Sequence, residues 1–368
     1  MTDTKPNLLD YDLSSLESFF IEMGDKAFRA RQVLKWIYHH GVTDFASMTN
    51  LSKELRQQLE LNTIIKLPEI ITEQKSSDGT RKWLIKLDER NSVETVFIPE
   101  DDRGTLCISS QVGCPLDCKF CSTAQQGFNR NLSTSEIIGQ VWIANQALGY
   151  FETGKRVITN IVFMGMGEPL LNYDNVLKAI DLLTNDLAFG LARRKVTVST
   201  SGIIPEIDRL KVDSNVSLAI SLHASNNELR NTIVPINRSF PLKDLLAACK
   251  RFTESRDDEP ITIEYVMLKG VNDSLQDAHD LVKCLKGIPS KVNLIPFNTF
   301  PGTHYVCSDM NTINSFRDVL TKSGIITITR KTRGDDIDAA CGQLVGKVAA
   351  RALKHQKQQT EISNVSIN

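Results

Sequence analysis

From residue 104 onward the chain repeats one pattern: a short apolar run, a loop, then a helical stretch. The runs are 105–110, 160–165, 195–200, 216–221, 261–268 and 291–298. They are short and rich in β-branched and aliphatic residues, as strands are. Strands that alternate with helices pair in parallel, because each helix carries the chain back to the end where the next strand begins; such crossovers are right-handed. Six units of this kind build an incomplete α/β barrel or an open doubly wound sheet. The clearest helix spans 134–148 and opens on Ser133-Thr-Ser-Glu136, a capping box. A further piece, 312–355, reads as helix, strand (325–330), loop and a second helix from Ala339 to Leu353. The tail after about residue 356 is polar and is expected to fray.

Upstream the pattern differs. Residues 1–67 read as helical: apolar positions recur at helical spacing over Leu13–Met23, at Phe28, Val33, Trp36 and Ile37, and over Leu51–Leu61, with Gly24 and Gly41 as breakers. Residues 68–100 alternate like strands at 70–73, 82–87 and 93–98, with turns at 77–79 and 88–91, and read as a small antiparallel sheet. The expected division is a helical domain (1–67), an antiparallel β linker (68–100), a partial barrel (101–310), a C-terminal extension (311–355) and a polar tail (356–368).

Composition narrows the class. Hydrophobic residues at 41% and charged residues at 24% fit a globular fold and exclude a disordered or fibrous chain. The first residues, Met1 to Pro6, carry no apolar core of a secretory signal, and no stretch approaches the roughly 20 apolar residues of a membrane span. A cytoplasmic protein without a membrane partner is expected, working as a monomer. With 43 basic and 44 acidic residues the chain is no nucleic-acid coat, so any RNA contact must come from a local patch. One candidate is Lys26, Arg29, Arg31 and Lys35, with no acid between them and Trp36, Tyr38, His39 and His40 alongside. A solvated helix face is the plainer reading and an RNA-docking face the alternative.

Eight cysteines in a chain of this length are not a disulfide scaffold. Three crowd into Cys114-Pro-Leu-Asp-Cys118-Lys-Phe-Cys121, directly after the first barrel strand. Zinc sites ordinarily take four ligands in two pairs, and no second pair stands nearby. Iron–sulfur clusters are also held by thiolates, and a [4Fe–4S] cube held by three leaves one iron open to a ligand. This spacing resembles the signature of the radical S-adenosylmethionine (radical SAM) enzymes; a zinc knuckle or three incidental thiols remain the alternatives. In a parallel barrel the chemistry gathers where strands end. Met164-Gly-Met-Gly167-Glu168-Pro169, Ser199-Thr-Ser-Gly202, Ser221-Leu222-His223 and Pro296-Phe-Asn298 all fall at such ends.

Longer motifs narrow the resemblance. Ser109-Ser-Gln-Val-Gly-Cys114, Cys118-Lys-Phe-Cys-Ser-Thr-Ala-Gln-Gln-Gly-Phe-Asn-Arg-Asn131, Met164-Gly-Met-Gly-Glu-Pro-Leu-Leu-Asn172 and Arg330-Lys-Thr-Arg-Gly-Asp-Asp-Ile-Asp-Ala-Ala-Cys-Gly-Gln343 resemble the bacterial radical SAM methyltransferases that act on adenine C2 in large-subunit ribosomal RNA and in transfer RNA. The likeness runs from about Leu8 to about Val348. It implies a partial (β/α)6 TIM-like barrel after a helical RNA-binding domain. It implies that Cys114, Cys118 and Cys121 hold a [4Fe–4S] cluster and that Gly167, Glu168, Ser199, Ser221, Leu222, His223 and Asn298 bind S-adenosylmethionine. Cys341 would carry the methyl group, Cys107 would resolve a transient protein–RNA adduct by forming a disulfide, and Glu94 would be the base. Two molecules of S-adenosylmethionine and an external electron donor of unknown identity would serve each turnover.

Read without the family, Cys341 is a buried thiol at a helix start, Cys107 a strand-core thiol and Glu94 an exposed strand carboxylate. Cys249, Cys284 and Cys307 have no assigned role and read as packing or surface thiols. The rival functions are a sister methyltransferase acting on adenine C8, a radical SAM enzyme that activates a protein, and a zinc-stabilised RNA-binding module.

Overall fold

The computed structural model describes residues 5–254, 256 and 259–346. Three helices open the chain, Leu13–Glu22, Arg29–Tyr38 and Lys53–Asn62. Asp12 caps the first by accepting from Ser15 N at 2.8 Å, and Ser52 caps the third through Leu55 N at 3.2 Å. Leu16, Phe20, Val33, Leu34, Ile37, Leu55 and Leu59 turn inward from them and are buried. The bundle is docked on the rest of the molecule: Trp142 Nε1 donates to Ile37 O at 2.9 Å, and Ser135 N donates to Asp10 Oδ1 at 2.7 Å.

The strands are β1 (Glu69–Lys75), β2 (Arg81–Lys86), β3 (Ser92–Glu100), β4 (Arg103–Cys107), β5 (Gln111–Gly113), β6 (Phe128–Asn131), β7 (Asn160–Phe163), β8 (Val196–Thr200), β9 (Ser217–Ser221), β10 (Ile261–Met267), β11 (Ser290–Pro296) and β12 (Ile326–Thr329). Ten of them form one sheet in the order β1-β2-β3-β4-β7-β8-β9-β10-β11-β12. From β4 to β12 every pairing is parallel, so all these strands end on one rim. This is the expected partial barrel, with β12 of the C-terminal extension as a further parallel strand. The antiparallel segment β1–β3 hydrogen-bonds onto its edge, where Val96 pairs with Cys107. The helix Thr134–Ala147 has its expected capping box and is buried nearly all round, because the sheet lies on one side and the N-terminal helices on the other. Among the described residues no helix is long and apolar enough to cross a membrane.

One expectation fails. The helix predicted from Ala339 is absent over 339–346; residues 347–353 lie outside the described residues. Gly334, Asp338 and Gly342 all take left-handed backbone angles (φ 63°, 49° and 84°), which interrupt a right-handed helix. The peptide groups that a helix would pair internally instead bond outward. Ser122 N donates to Gly342 O at 2.7 Å, Thr123 Oγ1 to Leu344 O at 2.8 Å, and Gln126 Nε2 to Gly346 O at 3.0 Å. Cys341 therefore sits in a turn laid across the barrel rim, not at a helix N-terminus.

Candidate active site

The cysteine loop leaves the rim after β5, which pairs with β6 in a two-stranded hairpin. Cys114 N donates to Gly127 O at 3.0 Å, and Cys121 N to Cys118 O at 3.1 Å, folding the loop back on itself. Asp117 supplies the left-handed residue (φ 55°) that this reversal requires. All three thiols line one cavity at the strand ends, with about 1030 Å³ of empty space. Burial pushes the Cys118 thiol up to about 12 and raises those of Cys114 and Cys121. Among the described residues no three His, Cys, Asp or Glu side chains converge as on a single ion. The donor set fits a cube, which takes one thiolate per iron and so spreads its ligands apart.

The opposite walls come from the strand ends. Gly167 (φ 98°) follows β7; a side chain there would strike Gln111, whose Oε1 accepts from Glu168 N at 2.8 Å. Glu168 is buried and accepts from Ser201 N at 2.8 Å and Leu170 N at 3.1 Å. Burial outweighs those bonds and lifts its carboxyl to about 7. Ser199, Ser221, His223 and Asn298 line the same space. His223 Nδ1 accepts from Val266 N at 3.0 Å, so the neutral ring holds its proton on Nε2. Burial, with Arg230 as the lesser cause, pulls its pKa down to about 3. Leu222 is buried behind the wall and meets its neighbours by backbone: its N–H donates to Glu264 O at 3.1 Å.

Sequence reasoning singled out no role for Arg230, Arg330 or Glu264. Arg230 is wholly buried and has no carboxylate partner among the described residues. It donates to Leu222 O (3.0 Å), Ser201 O (2.6 Å), Ser221 O (3.2 Å) and Asn237 Oδ1 (2.8 Å), tying the ends of β8 and β9 together. Arg330 Nη1 reaches Cys341 Sγ at 3.5 Å and Glu264 Oε2 at 3.6 Å. Arg330 opens one of the quoted motifs, but neither arginine's role can be read there, because each acts through partners on other strands and turns.

The structure brings Cys341, but not Cys107, into the cavity lining. Cys107 lies just behind, buried, and its thiol is pushed up to about 12 by burial and then by the neighbouring Cys341. Both thiols are free. Asn298 Nδ2 holds the turn through Cys341 O at 3.4 Å. Glu94 does not line the cavity and is not exposed. It is buried in an ion pair with Lys82 (3.1 Å) and accepts from Val345 N at 2.8 Å. Cys249 is packed in the core, while Cys284 and Cys307 donate to the carbonyls of Ser225 and Ser308. In the basic cluster Arg31 pairs with Glu17 at 3.2 Å and Arg29 with Asp25 at 3.6 Å.

The model of the ribosomal RNA large subunit methyltransferase N-terminal domain matches residues 6–65, and that of the radical SAM superfamily matches residues 108–282. A solved radical SAM methyltransferase from Sphaerobacter thermophilus is 40% identical with a TM-score of 0.86, over 92% of this chain and 99% of that one. A domain of a pyruvate-formate lyase-activating enzyme from Bacteroides vulgatus is 20% identical (TM-score 0.37, 47% of this chain and 99% of that one). SuiB of Streptococcus suis bound to S-adenosylmethionine is 14% identical (TM-score 0.45, 62% and 50%). These last two are too distant to carry an argument. The helical start, the partial barrel and the thiol-lined cavity thus have one explanation: the chain belongs to the radical SAM methyltransferases that carry the ribosomal RNA large subunit methyltransferase N-terminal domain.

Proposed function

We propose that the protein methylates C2 of adenine in large-subunit ribosomal RNA and in transfer RNA. In this reading Cys341 carries the methyl group, Cys107 attacks Cys341 to free the product, and Glu94 removes the C2 proton. Cys114, Cys118 and Cys121 hold a [4Fe–4S] cluster, and Gly167, Glu168, Ser199, Ser221, Leu222, His223 and Asn298 serve S-adenosylmethionine. One observation carries the reading: three cysteine thiols, a buried carboxylate and the Cys341 turn line a single cavity. When bound, the cluster supplies an electron and S-adenosylmethionine supplies the methyl group and the radical precursor.

The chain's own residues do the rest. Glu168, with its carboxyl lifted to about 7, receives an ammonium group, and that positive charge restores the carboxylate form. His223 stays neutral and offers Nε2–H as a donor. Cys341 presents its sulfur as the nucleophile, and covalent capture splits one difficult step into easier ones. The oxygens of Glu94 are taken up by Lys82 and Val345 N–H. Val345 belongs to the 330–346 segment, so Glu94 is bonded directly to the segment that carries Cys341. The N-terminal helices supply the RNA contact through the basic cluster, in which Arg29 and Arg31 are held by Asp25 and Glu17 while Lys26 and Lys35 form no ion pair among the described residues.

The test is isomer analysis. Anaerobically reconstituted protein is incubated with isotope-labelled S-adenosylmethionine and either a ribosomal RNA fragment or transfer RNA. Label on adenine C2 in both RNAs is expected. Label on C8 overturns the assigned position, and label in one RNA class alone overturns the dual substrate.

A further inference from the structure

We propose that Arg330, anchored on Glu264, is the positioning residue that orients the Cys341 sulfur toward the cavity and supplies its counter-charge. The inference rests on the reading of Cys341 as the methyl carrier.

Three elements meet at this guanidinium. It leaves the chain just after β12, where Arg330 N donates to Leu294 O of β11 at 2.8 Å and fixes its base. Its Nη1 donates to Cys341 Sγ at 3.5 Å, within range for a bond to sulfur, and touches Met164 Sδ at 3.9 Å. The same Nη1 stands 3.6 Å from Glu264 Oε2 on β10. Glu264 is buried; its Oε1 accepts from Asn293 Nδ2 at 2.9 Å, while among the described residues Oε2 accepts no hydrogen bond and has the arginine as its ion-pair partner. The charged or titratable groups that bear on this cluster are Cys107 on β4, Cys121 of the cysteine loop and Glu100 of β3. The arginine is held firmly cationic, with Cys341 as the largest cause and Glu264 and Cys107 after it.

The arrangement solves a charge problem. A nucleophilic sulfur at a cavity wall needs a cation in the sites where water would otherwise solvate it. Once Cys341 is methylated, its sulfur is a neutral thioether and no longer balances that cation. A buried charge left alone is expensive, and Glu264 keeps Arg330 paired at that stage. Arginine suits the role better than lysine because its planar fork spreads the charge, is weakly hydrated and stays protonated when buried beside a sulfur and a carboxylate. The neighbouring Cys107 sees the same guanidinium, which lowers its otherwise raised pKa. One residue thus serves both thiols.

The test reads Cys341 directly, without turnover. Anaerobically purified holoenzyme is treated with iodoacetamide at pH 7.5, and alkylation of the Cys341 and Cys284 peptides is followed by mass spectrometry. Arg330→Gln should slow Cys341 about tenfold and leave Cys284 unchanged. Arg330→Lys keeps the charge without the fork and should recover most of the rate, ending about threefold below wild type. A merely structural contact would give the opposite sign, since loosening the loop exposes the thiol and speeds alkylation. An unchanged or faster Cys341 in Arg330→Gln overturns the proposal. If that variant does not fold, an unchanged rate in Arg330→Lys does so. Loss of the methyl-carrier reading itself would show separately, as methylation that persists in Cys341→Ala.

Discussion

Cys114, Cys118 and Cys121 reach the cavity from one loop, whereas Cys341 lines it and Cys107 lies buried behind Cys341, 234 positions away in the chain. The loop is shaped by its own neighbours: the β5–β6 hairpin, the left-handed Asp117 and the bond from Cys121 N to Cys118 O. The pair is shaped by the whole barrel. β4 sits at one side of the parallel run, β12 at the other, and the chain beyond β12 returns over the rim. There it is latched to the β1–β2 turn by Gly334 N on Asp78 and Ser77 N on Asp336, both at 3.1 Å, and to the end of β11 by Gln343 Nε2 on Thr299 O at 3.0 Å. Local ligands and remote nucleophiles should therefore fail separately.

The largest effect tests the local side. Cys118→Ala should lose iron–sulfur absorbance and drop methylation below about a thousandth of wild type, because two thiolates do not hold the cube. The Cys341 peptide should keep most of its alkylation rate, since the bonds of its segment to Asp78, Ser77 and Thr299 lie outside the cysteine loop and remain when those to Ser122, Thr123 and Gln126 loosen. A brown, active variant would remove Cys118 from the ligand set, and an altered Cys341 would show that the two walls are coupled.

Next come the remote thiols, where the two variants should differ in kind. Cys341→Ala should retain iron–sulfur absorbance and form neither methylated RNA nor an adduct. Cys107→Ala should stall within its first turnover, before product release, leaving a protein–RNA species that nuclease trims to a nucleotide remnant on Cys341. Normal turnover of Cys107→Ala, with no remnant, would reduce Cys107 to a strand residue.

The smallest effect isolates the cavity wall from both cysteine groups. His223 is held neutral in the fold, with its pKa depressed to about 3. On acidification the unfolded chain takes up a proton near pH 6.5 while the native ring does not. Its stabilising contribution is therefore complete above pH 6.5 and lost as pH falls toward 3, about 2 kcal/mol between pH 7 and 5. His223→Asn accepts the left-handed backbone (φ 62°) and does not titrate. Urea unfolding at pH 7 and pH 5 should show a smaller acid loss in the variant; equal losses would mean that this ring does not set the acid response.

The cluster wall was legible because its information is local. A Cys-x3-Cys-x2-Cys loop after a strand and a Gly-Glu-Pro turn after the next name their own positions, and parallel topology puts both on one rim. The Cys341 segment misled for the converse reason. Ala339 to Leu353 is good helix-forming sequence, but Asp338 and Gly342 turn left-handed and the peptides up to Gly346 bond to Ser122, Thr123, Gln126 and Glu94. Tertiary bonds overrode propensity, as they do where a segment lies on a formed surface. Glu94 reads as an exposed strand carboxylate because its two partners, Lys82 and Val345, come from a neighbouring strand and from the far end of the described chain.

The sequence by itself determined the order of elements, the parallel run of strands, the helical start and which three thiols share one loop, since strand periodicity, caps and short motifs act over a few residues. Only the tertiary structure decided that Arg230 ties β8 to β9, that Glu168 is buried enough to lift its carboxyl to about 7, and that Arg330 stands between Cys341 and Glu264. Those facts depend on distances set between strands and turns that only the fold brings together, and on how far it shields each group from water. No window of sequence encodes either quantity.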